Sequence, residues 1–183
     1  MKKQKKKERI YNQKSGIMGD KNKEDFETPK DILDCLKKEF LNEGEEFFDP
    51  CPYNGRNLAI ENDSKNGLLI DWNQKNFINP PYNETKKWII KGVEEFKKGK
   101  TCIFLIVSRP STNYWNNFII PYASEIRHFT KFIKFNKNAK KPLPLPICVV
   151  VFKDYKSEKE NKNLFYKIKD FGNGYKYWTH SSI

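Results

Sequence analysis

The sequence predicts an α/β fold, and three observations carry that expectation. Thr101–Val107 reads Thr-Cys-Ile-Phe-Leu-Ile-Val, an unbroken apolar run of strand length, as expected of a parallel strand covered on both faces. Helical periodicity in Ile32, Leu33, Leu36 and Phe40, and again in Trp88, Ile89, Val93 and Phe96, alternates with the short apolar runs Phe47-Phe48 and Phe77-Ile78. Those short runs stop at polar, proline-bearing corners, Asp49-Pro50 and Asn79-Pro80, and open α/β sheets bind ligands beyond the carboxyl ends of their strands.

A chain of 183 residues of this composition predicts one domain with tails. Residues 1–24 form a basic arm, carrying Lys2, Lys3, Lys5, Lys6, Lys7 and Arg9 with few apolar residues, too little to order itself. The central domain spans 25–153, and 154–183 is an aromatic and basic tail that packs on it or extends it. Hydrophobic content is 37%, and aromatics at 15% supply the large buried surfaces a core needs. The formal net charge of +12 points to a polyanion, most simply nucleic acid, although a generally lysine-rich composition gives the same sum. Cys35, Cys51, Cys102 and Cys148 form no CxxC pair and only His128 and His180 accompany them, so no metal site is expected. They read as reduced thiols in cytoplasm-like surroundings, and the lysines of the arm also admit a nuclear location if the host is eukaryotic. No stretch has the length of a membrane span.

Taken in order, Thr28-Pro29 reads as a helix start, threonine as cap and proline in the first turn, for a helix running to about Leu41. Phe47-Phe48 is a short buried strand leading into Asp49-Pro50-Cys51. Residues 56–74 are polar and aperiodic, with a turn at Asn66-Gly67 and Trp72 assigned to the core. The helix after Asn79–Tyr82 ends near Gly99. The strand 101–107 stops at Ser108-Arg109-Pro110, where Arg109 is a candidate phosphate contact, with a surface ion pair as the ordinary alternative. Residues 113–123 are expected to be helical and 126–135 to hold two short strand-like runs. The basic loop 134–141, with Lys137, Lys140 and Lys141, is placed over a substrate groove or simply in solvent. Ile147–Phe152 is a β-branched strand, and Phe165–Ile168 with Tyr175–Trp178 read as a β-hairpin around glycines.

Asn79-Pro80-Pro81-Tyr82 carries the chemistry. Each proline fixes φ and removes an N–H, so the chain continues neither as sheet nor as helix. What remains are acceptors, the Asn79 side-chain oxygen and the Pro80 carbonyl, followed by the ring of Tyr82. Two acceptors in one plane hold both hydrogens of an exocyclic amine and localise its lone pair as a bond forms, while Pro81 fixes the turn. Tyr82 stacks on a base taken out of the helix. The plainer alternative is a proline-stiffened strand-to-helix turn with a packing tyrosine.

This tetrapeptide matches the catalytic motif of amino-methyltransferases that use S-adenosylmethionine. The wider order resembles the phage-type DNA N-6-adenine-methyltransferase (Dam) family: Thr28-Pro29, Phe48-Asp49-Pro50-Cys51, Asn66-Gly67-Leu68 with Trp72, the motif, Trp88, Ser108-Arg109-Pro110 and Trp115. The resemblance implies a small Rossmann-like methyltransferase fold, a mostly parallel sheet with an antiparallel end. It implies methyl transfer to the N6 amine of an adenine flipped out of double-stranded DNA, a bacterial or phage-infected cell with restriction-modification as the setting, and S-adenosylmethionine as cofactor. Because the sulfonium already makes the methyl carbon electrophilic, this chemistry calls for no metal. Thr28 and Pro29 would lie against the cofactor, and Asp49, Pro50 and Cys51 would hold its methionine part, although a Gly-x-Gly is replaced by a proline-laden loop. Asp63, or Glu61, would accept from the ribose hydroxyls. Cytosine N4, adenine in RNA, a protein amide, or nucleic-acid binding without catalysis are the competing readings.

Overall fold

The computed structural model describes residues 27–52, 67–135, 141–155, 164–172 and 175–182, the last two segments as backbone. Helix α1 (Lys30–Phe40) is followed by β1 (Lys75–Ile78), α2 (Thr85–Lys97), β2 (Thr101–Val107), a π-helical turn (Trp115–Ile119), β3 (Glu125–Phe129), β4 (Ile147–Phe152), β5 (Leu164–Gly172) and β6 (Tyr175–Ser182). The strands form one six-stranded sheet in the order β1-β2-β4-β3-β6-β5. Phe48 adds a parallel bridge beyond β1, opposite Asn76.

Both faces of the sheet centre are covered, which accounts for the continuous apolar runs. Cys102, Phe104 and Ile106 of β2 and Cys148, Val150 and Phe152 of β4 pack on the α2 side with Trp88, Ile89, Val93 and Phe96. The alternate residues Ile103, Leu105 and Val107, with Ile147, Val149 and Val151, pack on the α1 side with Ile32, Leu33 and Leu36. The period of two sorts each strand between two cores. Gly99, at φ +87, lets the chain leave α2 in the left-handed region and turn directly into β2.

Four expectations are corrected. The parallel part of the sheet is confined to β1, β2 and the Phe48 bridge, while β2–β4, β4–β3, β3–β6 and β6–β5 are antiparallel. The C-terminal segment joins the sheet rather than lying on it, and that shifts the balance. Thr28 does not cap α1: Pro29 occupies that position without a side-chain cap, and the threonine hydroxyl bonds elsewhere. The helix expected over 113–123 is mostly one π-helical turn, with Ile120 N–H reaching the Trp115 carbonyl, and Pro121, lacking an N–H, cannot extend it. Only one strand forms within 126–135. Beyond Phe129 the chain leaves the sheet, and the Ile133 carbonyl accepts from Leu143 N–H instead.

Direction matters for function. The Phe48 segment, β1 and β2 run parallel, and β3, antiparallel to β4, runs the same way. Asp49, Asn79, Ser108 and Thr130 therefore leave the sheet at one end.

Candidate active site

Phe48 N–H donates to the Lys75 carbonyl and Phe77 N–H to the Phe48 carbonyl, at 2.9 and 3.0 Å, so Asp49 and Asn79 emerge from neighbouring strands. Asp49 is 5% exposed. Its Oδ1 accepts from Cys51 N–H at 2.9 Å, which folds the start of the loop back over the carboxylate. Burial pushes the carboxyl up to about 7, and the backbone donor at Cys51 recovers only part of the lost hydration. Among the described residues no lysine or arginine pairs with it.

Across this gap, Asn79 Nδ2 donates to Thr28 Oγ1 at 3.2 Å, and Thr28 is itself 5% exposed. The bond orients the amide. Pro80 is buried and Pro81 half-buried. The Pro81 carbonyl accepts from Glu84 N–H at 2.9 Å and the Tyr82 carbonyl from Thr85 Oγ1 at 3.1 Å, so the first residues of α2 hold the proline corner. Tyr82 is half-buried with its ring against the α1-side core, and burial raises its hydroxyl pKa well above the ordinary value.

A second line of contacts supports the Asp49 loop. A Cβ on Gly67 would stand 2.0 Å from the Pro50 carbonyl oxygen, so only glycine permits this approach. The Gly67 carbonyl accepts from Trp72 Nε1 at 2.7 Å, and Trp72 stacks on Trp88 of α2 with ring centroids 6.3 Å apart. Trp72 N–H donates to Glu95, a fully buried carboxylate that also takes Lys91 at 2.8 Å, Lys98 at 2.9 Å and Lys100. Burial alone would raise the Glu95 pKa, but the three ammonium groups and the amide together bring it down to about 2.

The sequence reading treated Gly67 only as a turn and passed over Glu95. The signal for Glu95 was present: it falls on the stripe of Trp88, Gly92 and Phe96, a charge in a core position. Arg127 is fully buried with Glu39 and Glu125 at 2.6 Å, a structural ion cluster on the α1 side. Arg109 is half-buried, and its carbonyl closes a turn by accepting from Thr112 N–H and Oγ1 at 3.0 and 2.7 Å. Cys51 is half-buried, Pro29 half-buried and Lys141 exposed. Asp63, Glu61, Lys137, Lys140 and the arm 1–24 lie outside the described residues. Among the described residues no group of three or more His, Cys, Asp or Glu is placed to hold a metal ion, and no helix is long and apolar enough to cross a membrane.

The mixed α/β sheet thus brings the Asn79-Pro80 corner and a buried carboxylate, without a cation among the described residues, to neighbouring parallel strand ends, the side of the sheet on which open α/β folds bind ligands. The family model of DNA N-6-adenine-methyltransferase (Dam) matches residues 17–170, most of the chain, and the protein belongs to that family. No curated protein and no solved structure matches it.

Proposed function

We propose that the protein transfers a methyl group from S-adenosylmethionine to N6 of an adenine drawn out of double-stranded DNA. The observation that supports it most directly is the pairing of Asn79 with Thr28 at the strand end next to the one that carries the buried Asp49. S-adenosylmethionine, held at Asp49 and Thr28, would supply an electrophilic methyl carbon and a neutral thioether leaving group.

The chain's residues suit that group. A buried carboxylate without a cation among the described residues matches an α-ammonium, whose charge would offset the desolvation of Asp49. Pro50 and Cys51 bring backbone close to the same place, and Thr28, with Pro29 beside it, keeps its own O–H to donate while accepting from Asn79. Asp63 is proposed for the ribose hydroxyls.

The Asn79 carbonyl oxygen and the Pro80 carbonyl accept the two N6 hydrogens and hold the amine in the plane of attack. Fixing the Asn79 amide through a buried threonine avoids reorganisation as charge develops. The remaining exposed part of Tyr82 offers a stacking surface to the extruded base. After transfer N6 carries a positive charge and becomes acidic, so its proton leaves without a strong base. Arg109, Lys137, Lys140 and Lys141 are proposed as phosphate contacts.

The test is transfer of tritiated methyl groups to unmethylated DNA, followed by digestion to nucleosides. Label is expected in N6-methyl-2′-deoxyadenosine. Asn79→Ala should abolish transfer while binding of labelled duplex persists. Label in N4-methylcytosine or in RNA, or undiminished transfer by Asn79→Ala, would overturn the assignment.

A further inference from the structure

Only two large apolar side chains among the described residues are strongly exposed, Leu69 at 82% and Phe132 at 53%. Phe132 stands out because of where the fold puts it. β3 ends at Phe129 on the side of the sheet where Asp49, Asn79 and Arg109 emerge, and Phe132 follows three residues later. Its backbone is held: neighbouring Ile133 is fully buried in the α1-side core against which Tyr82 packs, and the Ile133 carbonyl accepts from Leu143 N–H at 2.9 Å. The ring is thus kept in solvent by an anchored neighbour.

Its surroundings are cationic. Lys131, Lys134 and Lys141 are all exposed, and no acidic residue occurs between Glu125 and Asp154 in the sequence. Arg127, in the same stretch, is already neutralised by Glu39 and Glu125, so among the described residues these lysines carry the exposed charge around the ring. An aromatic ring amid lysines and no carboxylates suits a base face flanked by phosphates and disfavours an acidic or neutral protein surface.

We propose that Phe132 is a DNA-stacking residue: its ring rests on base surface exposed beside the extruded adenine, and Lys131, Lys134 and Lys141 bind the adjoining phosphates. This rests on duplex DNA being the substrate, and it adds to that reading an element that holds the duplex open. Drawing a base out of a helix uncovers the faces of its neighbours, and an aromatic side chain placed there recovers part of the lost stacking.

The test uses the full chain without methyl donor and two fluorescein-labelled duplexes of one sequence, one fully paired and one with an adenine opposite an abasic site. The wild type is expected to prefer the second by fluorescence anisotropy. Phe132→Ala should lose about tenfold affinity for it, and Phe132→Trp should retain the preference. Replacing Lys131, Lys134 and Lys141 by glutamine should make the slope of log K against log salt shallower by about 2 to 3 on both duplexes. Thermal melting of each variant verifies folding, which an exposed side chain should leave unchanged.

Equal binding of both duplexes by wild type and Phe132→Ala, or a dimer lost in Phe132→Ala with DNA binding intact, would overturn the proposal. If these binding differences hold but no methyl group reaches DNA, the interface stands and the methyltransferase reading falls. If transfer proceeds and Phe132→Ala binds both duplexes like wild type, the reverse follows.

Discussion

Replacing Asp49 by asparagine should stabilise the free protein above neutral pH and weaken binding of the methyl donor. The carboxyl is 5% exposed and its pKa is raised by burial from 3.8 to about 7. A raised carboxyl pKa means the folded state holds the proton more tightly than the unfolded chain. Stability is therefore undiminished below about pH 4, falls as pH rises toward 7, and levels off beyond it. At 1.36 kcal/mol for each pH unit, the interval from 3.8 to about 7 corresponds to about 4 kcal/mol as an upper bound. The amide carries no such penalty and still accepts from Cys51 N–H, so Asp49→Asn should gain up to that amount at pH 8, and nothing at pH 4. Urea denaturation of both proteins at pH 4, 6 and 8 measures the difference directly. The functional half follows from the same charge. An ammonium-bearing ligand favours the ionised carboxylate, so binding below pH 7 should release up to one proton, visible by calorimetry in buffers of different ionisation enthalpy. The variant should release none and bind at least tenfold more weakly. A stability difference that does not change between pH 4 and 8 would refute the view of Asp49 as a buried, uncompensated charge.

Thr28→Val removes the acceptor of the Asn79 amide and should lower kcat about tenfold, equivalent to about 1.4 kcal/mol, whereas Thr28→Ser should restore it. Steady-state kinetics with varied DNA and donor separates this from a binding loss, which would appear in KM. Gly67→Ala places a methyl group 2.0 Å from the Pro50 carbonyl oxygen and should cost about 1–3 kcal/mol in chemical denaturation while reducing donor affinity through the displaced Asp49 loop. Glu95→Ala leaves Trp72 N–H without its acceptor and disperses three lysines, at a cost of about 3 kcal/mol. With its pKa depressed from 4.5 to about 2, Glu95 contributes stability above 4.5 that is lost as pH falls toward 2. Acid unfolding of the wild type should thus be steeper in that range than that of Glu95→Ala.

Much of the scaffold could be read from residue pattern alone. The uninterrupted apolar run of β2 required cover on both faces, and the period of α1 and α2 named the sides that supply it. The prolines after Asn79 required the chain to leave the sheet there. These are local constraints, set by backbone geometry and by which side chains avoid water, so a window of a few residues contains them.

Pairing between distant segments is not local. The Thr28 hydroxyl was expected to cap a helix two residues away, yet it meets an amide 51 positions on, because the residue leading into α1 lies against the one that follows β1. Nothing in the sequence near Arg127 marks it as buried, since its partner Glu39 lies 88 residues earlier on α1. The sheet is mostly antiparallel because β4 inserts antiparallel between β2 and β3 and the C-terminal hairpin adds to the β3 edge, pairings between segments distant in the chain. The carboxylates show the division most sharply. Asp49 and Glu95 are both buried acids, but among the described residues tertiary packing gave one a backbone donor and the other three lysines and an amide, moving their proton affinities in opposite directions. Residue type determined which groups were able to ionise. Only the packed structure, by setting how much water each group loses and which charges replace it, decided where they do.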